Sequence, residues 1–354
     1  MRFASIVRRL SVLSIIAALF VLLAACDQTS KTRNTDADMK DTEAKKEVVV
    51  YSARTEELIK PAFDAFTKET GIKVSFTTAK EAELQERLKA EGANTPADML
   101  ITVDAGNLWL AADTGLLQPI FSDVLEENTP NNLHDSDNRW FALTMRARPI
   151  MYSKERVKPA ELSTYEDLGD KKWKGRLGLR TSEKVYTKSL IASMITSLGE
   201  KKAEDVVESW MANDPIIYDS DTDMIKAIEA GQIDVAIANS YYLGRLLIED
   251  PDFPVRIFWP NQGDRGAHVN VSGAGVTKYA PNKAGAIKLL EFLSGPVAQK
   301  SFGDLNLEYP VNDEVELHGI LEGWGEFKRD NLNISELGKN QNAAVKMADR
   351  AGYR

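Results

Sequence analysis

Short apolar runs alternate with amphipathic segments from about residue 47 and again from about residue 149. In the first cycle, strands are predicted at 48–50, 72–77 and 99–103, and helices at 57–70 and 81–91. In the second cycle, strands are predicted at 177–179, 216–218 and 234–238, and helices at 184–198, 224–230 and 243–248. Two such cycles predict an α/β protein with parallel strands.

Two segments flank the second cycle and are predicted to connect two lobes. One begins at Pro149, and the other is the glycine-containing segment 273–275. We interpret both as strands that cross between the lobes and form a hinge, which leaves a ligand cleft between the lobes. The alternative for 273–275, a dinucleotide-binding loop, lacks the third glycine of that fingerprint. The predicted division is 47–146 with 273–318 for the first lobe, 147–272 for the inserted second lobe, and 319–354 for a helical C-terminal segment packed on the second lobe.

Composition and motifs exclude several classes of function. The 354 residues carry a formal net charge of −9 without a basic stripe, so nucleic acid is not an expected partner. No nucleophile elbow, P-loop or H-E-x-x-H motif occurs, which argues against an extracytoplasmic hydrolase. His134, His268 and His318 are far apart and are expected at the surface or in loops rather than around a metal. The chain is therefore not expected to be an enzyme.

The N-terminus predicts export and a lipid anchor. Arginines precede the uncharged apolar stretch 10–23, which is typical of a signal peptide. The next residues, Leu23-Ala24-Ala25-Cys26, resemble a bacterial lipobox, in which 1–25 is removed and Cys26 carries the lipid. The alternative is an ordinary cleavage site beside an unrelated cysteine. Cys26 is the only cysteine, so an intrachain disulfide is impossible.

The segment after Cys26 predicts a disordered tether over residues 26–46. From Asp27 to Lys46 it contains frequent charges and neither aromatic nor branched aliphatic residues. Asp27 resembles the aspartate that retains enterobacterial lipoproteins in the inner membrane. That resemblance implies a periplasmic protein anchored to the inner membrane.

Tyr241 and Tyr242 follow the apolar run 234–238, with Asn239 and Ser240 as a predicted helix cap. Both rings are therefore expected in the first turn of a helix, at the carboxyl end of a strand, where open α/β sheets bind ligands. A helix N-terminus favours negative charge and would stabilise phenolates. A phenolate is a hard anionic donor, suited to a hard cation such as Fe(III).

Several segments are similar to the ferric-iron-binding family of periplasmic transport proteins, the solute-binding partners of iron ABC importers. The matching segments are 50–54, 70–74, 96–106, 146–152, 162–168, 173–176, 239–242 and 268–276. They occur in the family's order and spacing from Glu47 to the C-terminus. The resemblance implies a two-lobed periplasmic-binding-protein fold of type II, Fe(III) as the cargo, an inner-membrane ABC permease as the partner, and a monomer.

The resemblance also implies ligands for the metal. Tyr241 and Tyr242 match the family's tyrosine pair, and Tyr186 matches its third tyrosine. Arg54 and Arg146 match residues that hold a synergistic anion such as carbonate, with Arg148 as a substitute. Read without the family, Arg54 could instead pair with a nearby surface carboxylate, Glu56 or Glu57, and Arg146 could bridge the hinge.

The first lobe departs from the family pattern. Thr55 and Glu56 stand where many members have histidine and tyrosine. Either Glu56 supplies a carboxylate to the metal, or three tyrosines and a bound anion complete the site. Tyr51 and Asp104 end predicted strands and are expected to face the cleft without binding the metal. The alternative function is a carrier of a small organic or phosphorus-containing ligand on the same fold.

Overall fold

The structure is a computed structural model that describes residues 46–354. The predicted signal peptide 1–25, the predicted lipidation site Cys26 and nearly all of the tether 26–46 lie outside these residues. Within 46–354, no helix combines the length and apolar character needed to cross a membrane.

Two sheets and the helices around them make up this part of the chain. The strands are β1 (Glu47–Ser52), β2 (Lys73–Thr78), β3 (Met99–Thr102), β4 (Phe141–Ala147), β5 (Ile150–Ser153), β6 (Leu177–Arg180), β7 (Ile216–Tyr218), β8 (Val235–Ile237), β9 (Val255–Phe258), β10 (Val269–Val276) and β11 (Tyr309–Pro310). The helices are α1 (Glu56–Thr70), α2 (Glu81–Glu91), α3 (Ala105–Asp113), α4 (Asp123–Asn128), α5 (Val185–Leu198), α6 (Glu200–Met211), α7 (Asp221–Glu229), α8 (Ser240–Glu249), α9 (Lys283–Ser294), α10 (Pro296–Asn306), α11 (Gly319–Gly323), α12 (Glu336–Lys339) and α13 (Gln341–Arg350).

The first sheet has the strand order β11-β4-β10-β3-β1-β2. β1 is parallel to β2 and to β3, and helices α1 and α2 form the crossover connections that parallel strands require. α1 ends at Gly71, whose φ of 73° closes the helix in the left-handed conformation. The second sheet has the order β7-β6-β8-β5-β9, with β6 parallel to both of its neighbours. Both cycles predicted from the sequence are therefore present as parallel β–α–β arrangements.

The chain passes between the sheets after β4 and again before β10, and the two passages are hydrogen bonded to each other. The Arg148 backbone N–H donates to the His268 carbonyl oxygen, 3.0 Å away. The Tyr165 hydroxyl donates to the Arg148 carbonyl oxygen at 2.6 Å and accepts from the His268 N–H at 3.0 Å. One buried phenol thus ties both passages of the hinge together.

β10 lies entirely in the first sheet, because residues 269–272 already pair with β4. The predicted lobe boundary between 272 and 273 falls inside this strand, and the register shifts there in a bulge. A Cβ on Gly273 would lie 2.5 Å from the Phe141 carbonyl oxygen. The glycine is explained by this close approach of β4 rather than by hinge bending.

The C-terminal segment packs on the second lobe, as the sequence predicted, and it also contacts the first lobe. α13 packs on α5 and α6, and the Tyr353 hydroxyl donates to the Arg180 carbonyl oxygen at 2.7 Å. α12 packs on α5 and also on α3 of the first lobe. A Cβ on Gly338 would lie 2.4 Å from the Cβ of Trp109, so glycine permits that contact. One continuous apolar cluster, with members from Tyr51 to Tyr353, accordingly runs through both lobes.

Candidate metal-binding site

Three tyrosines meet in the second lobe because two neighbouring parallel strands end at the same edge. β6 leads to α5, which begins with Val185 and Tyr186, and β8 leads to α8, which begins with Ser240, Tyr241 and Tyr242. Since β6 and β8 are adjacent and parallel, the two helix N-termini lie side by side. Both helix ends favour negative charge at this position.

The phenol groups of these residues are in mutual contact. The Tyr241 hydroxyl donates to the Tyr186 hydroxyl, with 3.4 Å between the oxygens. The Tyr242 side chain lies close enough to Tyr186 and Tyr241 for both to influence its pKa. The Tyr241 and Tyr242 rings lie 4.3 Å apart between centroids at an angle of 36°. Three oxygens that would repel one another as anions are thus held together, an arrangement that a cation between them would stabilise.

Burial keeps the tyrosine pair protonated in the absence of a cation. Burial, reinforced by the neighbouring Tyr186 and Tyr242, raises the pKa of Tyr241 well above its usual value. Burial, followed by the charges of Tyr186 and Asp221, raises the pKa of Tyr242 to about 12. Both groups are neutral phenols at pH 7, so a metal that binds them must displace their protons.

Asn239 positions Tyr241 instead of capping the helix with its side chain. It occupies the N-cap of α8, but among the described residues its side chain makes no capping hydrogen bond. Its Nδ2 donates to the Tyr241 hydroxyl at 3.4 Å, and its Oδ1 accepts from Arg148 Nη1 at 3.2 Å. The predicted cap position is therefore correct, while its side chain serves the tyrosine.

Arg148 lies beside the tyrosines, and protein acceptors engage both of its terminal nitrogens, while its Nε has no hydrogen-bond partner within residues 46–354. Its Nη1 is 3.5 Å from a carboxylate oxygen of buried Asp221, and its Nη2 donates to the Ile237 carbonyl oxygen at 3.2 Å. The other Asp221 oxygen lies 3.0 Å from Arg180. The sequence analysis missed both Asp221 and Arg180, because each pairs with residues far away along the chain.

Arg146 and Arg54 provide buried N–H groups that lack protein acceptors. Each is 3% exposed. The Arg146 guanidinium carbon lies 5.6 Å from the Tyr186 ring centroid, and its Nη2 donates to the Val271 carbonyl oxygen at 2.9 Å. Nε of Arg146, and Nε and Nη2 of Arg54, have no hydrogen-bond partner within residues 46–354. Unpaired buried donors of this kind are suited to receiving an anion.

Glu308 lies between these two arginines and was missed by the sequence analysis. Its Oε2 accepts from Arg54 Nη1 at 2.9 Å, so Arg54 does not pair with Glu56 or Glu57 as the surface alternative supposed. Burial alone would raise the pKa of Glu308, but the charges of Arg54 and Arg146 outweigh burial and lower it. Nothing in the sequence distinguishes Glu308 from the other acidic residues.

The remaining first-lobe candidates are exposed or hydrogen bonded to other residues of the protein. Glu56 is exposed in the first turn of α1. Tyr51 was expected to face the cleft, but its hydroxyl donates to the Glu91 carboxylate at 2.8 Å. Asp104 is buried, which raises its pKa, and accepts from Asn270 Nδ2 at 2.6 Å.

His268 lies in the irregular segment just before β10, in keeping with the expected loop position, and it is buried. Burial, followed by the charges of Arg148 and Arg265, lowers its pKa to about 3. Its Nε2 lies 3.3 Å from the Ser189 hydroxyl oxygen. It is therefore neutral at physiological pH. Across the part of the chain that the structure describes, no group of three or more His, Cys, Asp or Glu could hold a metal.

Comparison with known proteins identifies the family. Residues 51–300 match the bacterial extracellular solute-binding protein family. Iron uptake protein A1 of Synechocystis sp. is 43% identical over 343 residues, which cover 94% of this chain and 93% of that protein. The major ferric iron-binding protein of Neisseria meningitidis serogroup B is 26% identical over 88% of this chain and 95% of that protein.

A solved structure shows the same fold. The Trichodesmium protein IdiA (FutA), in complex with iron and citrate ligands, has a TM-score of 0.84 and 46% identity, and it covers 87% of this chain and 100% of that chain. The predicted two-lobed α/β periplasmic-binding-protein fold is therefore confirmed. The relatives are named for uptake and binding, in agreement with the expectation that the chain is not an enzyme. The chain belongs to the bacterial extracellular solute-binding proteins, within the group of iron uptake and ferric iron-binding proteins.

Proposed function

We propose that this protein captures Fe(III) in its cleft and delivers it to an ABC permease of the inner membrane. The observation that carries the proposal is the convergence of the Tyr186, Tyr241 and Tyr242 hydroxyls. When they are deprotonated, these oxygens form a hard ligand set whose three negative charges balance the three positive charges of a ferric ion. The names of the relatives, iron uptake protein and ferric iron-binding protein, support this choice of ion.

An anion such as carbonate completes the metal site in this proposal. Arg54 and Arg146 supply the buried N–H groups that would bind it, and a planar guanidinium can clamp a planar oxyanion at two points. Arg148 is the weaker candidate, because Asp221 and Asn239 already share its Nη1 and the Ile237 carbonyl accepts from its Nη2. The iron and citrate found together in the Trichodesmium protein support an anion beside the metal in this fold.

Glu56 is the alternative first-lobe ligand. Its side chain is exposed, whereas the arginine pocket is buried. The exposed Glu56 carboxylate is already solvated by water, so it gains little free energy by binding the metal. The buried arginines lack that solvation, so they gain more free energy by receiving a charge-compensating anion. We therefore favour three tyrosinates with an anion over a site completed by Glu56.

The proposed setting is the periplasmic face of the inner membrane. Removal of residues 1–25 and lipidation of Cys26 would leave the tether 26–46 connecting the folded body to the bilayer. The body would act as a monomer beside the permease. This setting rests on the N-terminal sequence and on the membership of the chain in an extracellular solute-binding family.

Visible absorption tests the function. Tyrosinate bound to Fe(III) has a charge-transfer band, so the mature protein titrated with ferric citrate should turn orange to red. Tyr241→Phe or Tyr242→Phe should abolish the band, and Tyr186→Phe should weaken and shift it. The matched control is Tyr279→Phe, since Tyr279 is 47% exposed. A wild-type protein that stays colourless would contradict the proposal and favour a small organic or phosphorus-containing ligand.

A further inference from the structure

Arg245 lies directly over the tyrosine pair. It follows Tyr241 by four residues and Tyr242 by three, so one turn of α8 places all three side chains on one face. Its guanidinium carbon lies 5.1 Å from the Tyr241 ring centroid and 5.7 Å from that of Tyr242. A cation over an aromatic face is attracted to it, and the attraction increases when the ring carries a phenolate.

The same guanidinium reaches across to the first lobe. Arg245 Nη2 donates to Oδ1 of Asn306, the last residue of α10. Asn306 Nδ2 donates in turn to Glu308 Oε1 at 2.6 Å, and Glu308 Oε2 accepts from Arg54 at 2.9 Å. A continuous chain of hydrogen bonds therefore connects a residue over the tyrosine pair with an arginine of the anion pocket.

The backbone at this contact is arranged for close approach of the lobes. A Cβ on Gly244 would lie 2.5 Å from Leu307 Cδ1, so α8 can approach the first lobe because this position lacks a side chain. Leu307 itself has a φ of 55°, a left-handed conformation that leucine rarely adopts. Leu307 is 1% exposed, and such strain persists where the surrounding structure determines the conformation.

We propose that Arg245 and Asn306 form a cross-cleft latch that couples occupation of the tyrosine pair to occupation of the anion pocket. Arg245 is a positioning residue in this proposal, since it acts through the tyrosines and through Asn306. The inference rests on the proposed tyrosinate site. Because coupling between two sites is reciprocal, iron should strengthen anion binding as much as the anion strengthens iron binding.

The test follows the loss of the visible band after addition of excess chelator, with and without bicarbonate. In Arg245→Gln the band should form normally, but iron should be lost about tenfold faster than from the wild type. Arg245→Lys keeps the positive charge but lacks the planar guanidinium, so its rate of iron loss should lie between those of Arg245→Gln and the wild type. The matched control is Lys300→Gln on α10, which removes an exposed cation that contacts only Asp304 among the described residues; its rate should equal that of the wild type.

A double-mutant cycle separates the latch from unrelated effects. Arg245→Gln and Asn306→Ala together should release iron no faster than either change alone, and bicarbonate should slow release less in all three variants than in the wild type. Additive effects of the two changes, or an undiminished bicarbonate effect, would overturn the latch. A wild-type protein without a visible band would instead refute the tyrosinate site, so the two failures are distinguishable.

Discussion

Tyr241 and Tyr242 must lose their protons before they can hold a metal, and burial makes that loss costly. The pKa of Tyr242 is about 12 and that of Tyr241 is also raised, so both remain protonated from about pH 5 to pH 8. In the proposed site, each bound iron would therefore release at least these two protons throughout this window. Protons and iron compete, so the apparent affinity falls as pH falls.

We expect the apparent iron affinity to rise at least about a hundredfold for each added pH unit in this window, because at least two protons leave. Titration against a chelator of known protonation behaviour, at several pH values, measures the slope. An affinity that does not change with pH would show that the ligands lose no proton on binding, as with ionised carboxylates, and would contradict the tyrosinate site.

Arg54 and Glu56 distinguish the two ways of completing the site. With carbonate between Arg54 and Arg146, Arg54→Ala should weaken iron binding at least about tenfold, and Glu56→Ala should leave it unchanged. The reverse order would identify Glu56 as a ligand. Full affinity of the wild type in strictly bicarbonate-free buffer, with no other anion supplied, would exclude carbonate. Thermal unfolding of Arg54→Ala must be measured in parallel, since the change also removes the arginine that forms the ion pair with buried Glu308.

Residues of the candidate site could be predicted where a local sequence pattern indicates their position. The tyrosine pair follows a buried strand and opens a helix, so its position could be read from the sequence. Glu308 and Asp221 could not, because the arginines that they pair with lie between 41 (221 − 180) and 254 residues away along the chain. Long-range pairing of charges leaves no periodic signal in the sequence.

At the scale of elements, α2 (81–91) and β7 (216–218) have the predicted bounds, and most others differ by a few residues. β9 and β11 were not predicted, because four and two residues are too short to show a period. β10 was interpreted as a hinge from its glycines, whereas the structure shows that they accommodate neighbouring backbone and side chains.

This explanation of the β10 glycines predicts a loss of stability. A Cβ on Gly275 would lie 2.5 Å from the Arg139 carbonyl oxygen and 2.8 Å from a Leu117 methyl. Gly275→Ala should therefore lower the free energy of unfolding by about 1–3 kcal/mol, measured by urea denaturation. Gly263→Ala is the matched control, because a Cβ there meets nothing within 4 Å. Equal stability of the two variants would contradict the close approach of the Arg139 carbonyl and Leu117 to Gly275.

At the scale of the whole molecule, the alternation of elements predicted two lobes joined by two passages. The contact of α12 with the first lobe could not be predicted, since a four-residue helix carries no sign of its partner.

The lipid anchor is a property of the whole molecule that the sequence alone predicts. Cys26→Ser should release the protein from the membrane fraction or leave it as an unprocessed precursor, as fractionation and mass measurement would show. Normal processing with retained membrane attachment would argue against lipidation of Cys26.

The most direct test of the tyrosinate site is an anomalous difference map, recorded at the iron absorption edge, from crystals of the iron-loaded protein. We expect a single strong peak at bonding distance from the hydroxyl oxygens of Tyr186, Tyr241 and Tyr242, with an anion bound to Arg54 and Arg146. A peak bound elsewhere in the cleft, or iron held by Glu56 without the tyrosine pair, would contradict it.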